Sequence, residues 1–310
     1  MAASLSQIKC SPMIHVFLGP NPSRPSSWSP LSSWRPVKVT MSCNQKSYWA
    51  SINEDIEAHL KQAIPVKEPL SVYEPLHYLT FAAPRNTAPA LCVAACELVG
   101  GHRDQALPVA SALHLMYAAS YTHENLPLKE SCRPKSMIHH KYSPNIELLT
   151  GDGLLPFGLE LLARSDHPTQ NISDRILRVI IEITRAIGSQ GMIHGQYHEI
   201  ESIQSDGNSS CHVEGIGSMC EKYEGSLHAC AATCGAIIGG GSEEEIEKMR
   251  RYGLCVGKIL GMSNKLKGND KELVKLVEEL SSSAMEELKG FNESKVEAIS
   301  GFIEGNIMYD

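Results

Sequence analysis

The chain has 310 residues, 42% of them apolar and 20% charged, with a formal net charge of −7. That length and balance allow a sizeable core in one large or two small domains, and they exclude a disordered, collagenous or fibrous protein. Because 28 Lys+Arg face 35 Asp+Glu, there is no cationic surplus for phosphates or an anionic bilayer, so neither nucleic acid nor a membrane is an expected partner.

Residues 1–50 differ from the rest. They hold eleven Ser, six Pro, all three Trp and five basic residues, and the first acidic residue is Glu54. A Ser-rich, acid-free, weakly basic leader without a long apolar run has the composition of an organelle transit peptide, with the chloroplast as first choice. The plainer reading is a disordered tail, with Met41 as an alternative start. We place the leader at 1–45 and a helical domain at 46–310. Without the five basic residues of the first fifty, 23 basic and 35 acidic groups remain, so the body carries −12.

The body reads as successive helices. Ile52, Ile56, Leu60 and Ile64 form a stripe ending before Pro65, and Leu107, Ala110, Leu113, Tyr117 and Tyr121 form a second one. Asp104 is the expected start of that second helix, which would put Pro108 in its first turn. Asn145 is expected to cap Ile146 to Leu162, despite Gly151, Gly153 and Pro156, and Asp174 to cap a helix carrying Ile176, Ile180, Ile183 and Ile187 up to a break at Gly188 to Gly191. Gln204 to Ser218 is polar and Gly/Ser-rich and reads as a loop. Lys222 to Ile238 follows, then a Gly239-Gly240-Gly241 break. Ser242 with Glu243, Glu244 and Glu245 opens a helix reaching at least Leu260, and Lys271 to Leu288 and Ser294 to Ile307 complete the chain. With only 6% aromatic residues and no alternating strand pattern of useful length, the expected fold class is all-α.

Ten cysteines are far fewer than a disulfide scaffold needs, and they read as reduced intracellular thiols. Two pairs stand out, Cys92-Val-Ala-Ala-Cys96 and Cys230-Ala-Ala-Thr-Cys234. Spacing of i, i+4 puts each pair on one helix face with only small residues between, a face that another helix can approach closely. A four-thiolate zinc site and an internal disulfide are the competing readings, the first against the tighter spacing usual for zinc and the second against geometry and compartment. Spacing alone leaves open whether the packing is internal or against a partner.

Several blocks combine into a recognisable order. They are Leu91 to Gly101, His123-Glu124-Asn125-Leu126-Pro127, Leu148-Leu149-Thr150-Gly151-Asp152, Gly195-Gln196, and Gly235 to Gly241 followed by Glu243 to Gly253. From Tyr48 to about Ile307 the chain resembles the plant trans-isoprenyl diphosphate synthases, the geranylgeranyl diphosphate synthase family. The resemblance implies an all-helical isoprenyl diphosphate synthase-like bundle that dimerises and joins isopentenyl diphosphate to an allylic diphosphate. That chemistry needs a trinuclear magnesium cluster on two Asp-rich motifs, because hard cations require carboxylate oxygens.

Here the carboxylates are missing. The family's His-Asp-Asp-Leu-Pro is replaced with Glu124 and Asn125 at the aspartate positions, and its second Asp-rich motif falls on Ser263-Asn264-Lys265-Leu266-Lys267. The lysines would repel magnesium. The run that holds isopentenyl diphosphate corresponds to Ala83 to Pro89, where Arg85 alone is cationic and Asn86 follows it; Gly-Gln-x-x-Asp ends in Glu199, and Lys-Thr becomes Lys222-Tyr223. The resemblance is therefore to the family's non-catalytic small subunits, and it implies no catalytic residue, no metal and no cofactor in this chain.

It further implies a catalytic geranylgeranyl diphosphate synthase large subunit as partner, in a heterodimer or heterotetramer of the plastid stroma that carries the magnesium. Product is expected to shift towards geranyl diphosphate for monoterpenes, and Cys92, Cys96, Cys230 and Cys234 are expected to serve subunit association. The alternatives are a catalytically competent prenyltransferase subunit, a cysteine-based redox or zinc-responsive module, and an inert homodimer acting as a brake.

Overall fold

A computed structural model describes residues 43–126, 140–166, 172–205, 220–263 and 271–306. Residues 1–42 of the expected leader lie outside these residues, while 43–45 open the first helix; 206–218 of the expected loop and the motif positions Asn264 and Lys267 also lie outside, and Gln204 and Ser205 end a helix. Helices make up the regular structure of the described residues: α1 Cys43–Ala63, α2 Leu70–Ala82, α3 Ala88–Leu98, α4 Arg103–Glu124, α5 Pro144–Arg164, α6 Ser173–Ile187 and α7 Met192–Ser205. A π-helical turn, Glu221–Gly225, then runs into α8 Ser226–Gly239, followed by α9 Glu243–Ser263, α10 Lys271–Glu287 and α11 Glu293–Asn306.

The core is built on α3 and α8. Both are apolar or small on every face, as helices surrounded by others must be, and nearly all of their residues are buried. The two pack on each other, α3 also against α4, and α8 also against α6 and α9; α5 covers α4, and α10 covers α9. Outer helices keep single apolar stripes. Ile52, Ile56, Leu60 and Ile64 are all buried, as are Ile176, Val179 and Ile183 of α6.

Helix starts differ from the expected ones by a residue or two. His102, not Asp104, caps α4 through a reciprocal pair with Gln105, which leaves Pro108 in the second turn. Ser143 precedes α5, whose first residue is Pro144, and α6 begins at Ser173. In each case a neighbouring residue or a proline with preset φ takes the position. Helices α2 and α7 were not expected: α2 lacks a clean apolar period, and α7 contains the Gly195-Gln196 motif. The Ser242 start is as expected, with Ser242 Oγ accepting from the Glu245 N–H at 3.3 Å while Glu245 accepts from the Ser242 N–H at 2.7 Å. Gly240 ends α8 at φ +83°, a left-handed conformation that favours glycine, so the Gly241 N–H reaches the Ala236 carbonyl at 2.9 Å.

Candidate functional site

Glu124 is the last residue of α4, and Ser120 stands one turn before it on the same face. Gln196 on α7 and Tyr223 in the π turn reach the same place. Oε1 of Glu124 accepts the Tyr223 hydroxyl at 2.5 Å, the Ser120 hydroxyl at 3.4 Å and an N–H of Gln196. Gln196 also donates to Ser120 Oγ at 2.9 Å. Burial first, then the charge of Glu124 and the hydrogen bond to it, hold the Tyr223 phenol far above its ordinary range. The neighbouring Tyr117 phenol is raised by burial and by Glu224 and Glu124. Asn125 turns away and donates to the Tyr121 carbonyl at 2.7 Å.

The π turn brings Tyr223 into this cluster. Its extra residue lets the Ser226 N–H bond the Glu221 carbonyl five residues back. Helix α9 passes so close that a Cβ at Gly257 would lie 2.2 Å from the Glu224 carbonyl oxygen. No apolar periodicity announces such a turn.

A trinuclear magnesium cluster does not fit the residues present. One carboxylate stands at the first motif position, and three donors of its own chain already occupy one of its oxygens. Among the described residues no group of three or more His, Cys, Asp or Glu converges as a metal site would require. From the second motif only Ser263 is described; its hydroxyl is buried without a hydrogen-bond partner, and a neutral hydroxyl is no substitute for a carboxylate. Glu199 lies in α7.

The remnant of the isopentenyl diphosphate loop is equally changed. A cavity of about 270 Å³ between α1, the end of α2 and α4 is lined by Ile56, Leu60, Phe81, Arg85, Asn86 and His114, with Glu57 on its rim. Arg85 is exposed and paired with Glu57 at 3.1 Å, and Glu57 also pairs with Lys61 at 2.7 Å. These partners, Lys61 foremost, hold the Glu57 carboxyl below its usual range. An anion arriving here would meet an ionised carboxylate and a cation already neutralised. Asn86 accepts the Ala88 N–H at 2.8 Å and so serves the start of α3.

The cysteine pairs lie inside the chain's own core. Cys92, Cys96 and Cys234 are 0% exposed and Cys230 is 3% exposed. The two motifs face each other across the α3–α8 seam, and a Cβ at Gly235 would stand 2.0 Å from the Cys92 carbonyl oxygen. Sγ of Cys230 and Cys234 are 3.8 Å apart, and all four thiols are free. Burial drives the thiols of Cys92 and Cys234 upward and pushes Cys96 up to about 12, with Glu97 adding to the last. Protonated thiols are poor nucleophiles and poor zinc ligands, which weighs against the redox and zinc readings. For subunit association, none of the four sulfurs is on the surface of the single chain.

The structure thus brings Glu124 together with Gln196 and Tyr223, and Cys230 with Cys234 on the helix that faces Cys92 and Cys96, while Arg85 and Asn86 stand apart at the start of α3. Sequence reasoning missed Ser120, which its i−4 relation to Glu124 could have signalled. It also missed His228, fully buried, whose Nδ1 donates to the Glu224 carbonyl and whose Nε2 meets Thr87 Oγ1, both at 2.8 Å. Nothing local marks two residues 141 positions apart as partners.

Comparison with known proteins places this geometry in a lineage. The sequence profile described as Polyprenyl synthetase matches residues 70–260. The heterodimeric geranylgeranyl pyrophosphate synthase small subunit 2, chloroplastic, of Cannabis sativa is 53% identical over 278 residues, covering 87% of this chain and 97% of that protein. The crystal structure of the geranyl diphosphate synthase small subunit from Antirrhinum majus matches at TM-score 0.78 and 53% identity, over 85% of this chain and all of that one. A chain of a mint deletion mutant of heterotetrameric geranyl pyrophosphate synthase, in complex with ligands, matches at TM-score 0.74 and 48% identity, over 83% of this chain and 99% of that one. With an all-helical fold, the motif blocks in family order and these relatives, the chain belongs to the polyprenyl synthetase family.

Proposed function

We propose that this chain is the small, non-catalytic subunit of a heteromeric geranyl or geranylgeranyl diphosphate synthase, binding a catalytic large subunit in plastids and shifting its product towards geranyl diphosphate. The observation that carries the reading is the fate of Glu124: the one carboxylate at the first metal-motif position is bonded by Tyr223, Gln196 and Ser120, with Asn125 beside it. Relatives named as small subunits of such synthases, at 53% identity, support the partner. Magnesium and diphosphate chemistry then belong to the large subunit. Residues 1–45 act as the transit peptide, and the stroma is the site of action.

The cysteine pairs contribute to association through the shape of the α3–α8 seam that they pack. Product length needs only a small bias, since about 1.4 kcal/mol between release and the next condensation changes their ratio tenfold. Co-expression with a plastid geranylgeranyl diphosphate synthase tests the reading. Co-purification with a larger share of ten-carbon product is expected. The large subunit's unaltered chain-length distribution would refute the product shift, and robust turnover by this chain alone with magnesium and both five-carbon diphosphates would refute the non-catalytic role.

A further inference from the structure

The described side chains of helix α7 give it little apolar hold on the rest of the chain. Met192 and Gly195 are buried in it, whereas Ile193, Tyr197 and Ile200 are 55%, 63% and 47% exposed. A short helix with so little packing is marginal by itself. What ties it down is polar: Gln196 donates both to Glu124 and to Ser120 of α4, and Tyr223 brings the π turn to the same carboxylate oxygen. Hydrogen bonds to an ionised acceptor are roughly twice as strong as neutral ones.

We propose that Glu124 is a built-in anionic centre that, instead of holding a metal–diphosphate, draws the end of α4, helix α7 and the π turn together so that this subunit is complete without ligand. The inference deepens the non-catalytic reading and rests on it. In an enzyme the carboxylates at these positions would be kept open to hold cations, and through them an external diphosphate. Here Glu124 supplies the anion, Tyr223 and Gln196 supply the donors, and Asn125 is withdrawn to the α4 backbone.

The test uses the purified full chain, with thermal unfolding and hydrogen exchange of 192–205 read with and without magnesium and inorganic pyrophosphate. Neither readout is expected to move on adding them. Tyr223→Phe and Gln196→Ala should each speed exchange in α7 roughly tenfold or more while leaving α3 and α8 protected. Glu124→Gln, which keeps an acceptor and removes the charge, should also speed it.

Pyrophosphate binding at a hundredfold its Kd would raise the Tm of a domain this size by about 5–10 °C, and such a rise would overturn the inference. So would wild-type exchange in α7 of Tyr223→Phe or of Glu124→Gln. Should a variant unfold globally, the wild-type titration still decides. A pyrophosphate-binding chain that co-purified with the large subunit and altered its product would sink this inference alone.

Discussion

Gly235→Ala is the sharpest test of the cysteine seam. At this position a Cβ would lie 2.0 Å from the Cys92 carbonyl oxygen, 2.9 Å from its carbonyl carbon and 3.0 Å from Ala95 Cβ. Two of the three obstacles are backbone, so no rotamer change relieves them, and α3 and α8 must separate by roughly 1 Å to restore van der Waals contact. A gap of that size forfeits a quarter to a half of each atomic contact along the seam, and overpacking of a tight core costs about 1–3 kcal/mol or more. Alanine recovers about 1 kcal/mol through helix propensity.

A 2.0 Å approach to backbone puts the cost at the upper end of that range, about 3 kcal/mol, so the net expected loss is about 2 kcal/mol, read as a lower urea midpoint at unchanged slope. Gly153→Ala in α5 is the internal control. No atom lies within 4 Å of its Cβ, so only the propensity gain of up to about 1 kcal/mol remains. If Gly235→Ala matched wild type within about 0.5 kcal/mol, or if both substitutions behaved alike, the close α3–α8 approach would be wrong.

Three further expectations follow from burial. Tyr252 is fully buried and its hydroxyl donates to the Ile299 carbonyl at 2.9 Å; Tyr252→Phe removes that bond while the carbonyl keeps its helical partner, and should cost about 0.5–1.5 kcal/mol in denaturant unfolding, a neutral result refuting the bond between α9 and α11. Burial lowers the pKa values of His59, His114 and His228 below 6.5. The unfolded chain therefore takes up protons that the native one refuses, so stability is whole above about pH 6.5 and falls below it, by up to about 1.4 kcal/mol per pH unit for each of His114 and His228 and by less for half-buried His59. A Tm no lower at pH 5.5 than at pH 7.5 would refute this. Among Cys92, Cys96, Cys220, Cys230, Cys234 and Cys255, half-exposed Cys255 should alkylate first in the native chain, while Cys92, Cys96, Cys230 and Cys234 react only as fast as the chain opens. Peptide mapping that found Cys92 or Cys230 labelled at a free-thiol rate would place the seam on the surface.

Helices with one apolar face were legible because a single period decides them, as at Ile52 to Ile64 and Ile176 to Ile183. The start of α9 was legible because Ser242 and Glu245 form a local cap. Helix α7 was not, since Ile193, Tyr197 and Ile200 form a stripe that the described structure leaves exposed, and its fixing bonds go to Ser120 and Glu124 of α4. The change to Glu124 and the loss of a carboxylate at Asn125 were readable residue by residue. What replaced them was not, because the donors lie 72 and 99 positions away and one of them sits in a π turn.

The cysteine pairs show how a correct local reading can leave the functional level open. Small residues at i, i+4 predict a close helix approach, and the approach exists, but both helices belong to this chain. Any influence of these cysteines on a partner then has to travel through the position of α3 and α8 instead of through sulfur at an interface. That route has a defined end: the Thr87–His228 contact joins the N-terminal ends of the same two helices, and Glu224, which accepts from His228, adjoins Tyr223 in the π turn. Displacing the seam therefore displaces the turn that supplies a donor to Glu124. Packing at the cysteines and hydrogen bonding at the former metal position form one mechanical unit, which is why substitutions at Gly235 and at Tyr223, on α8 and on the π turn that runs into it, are expected to couple in a double-mutant cycle instead of adding.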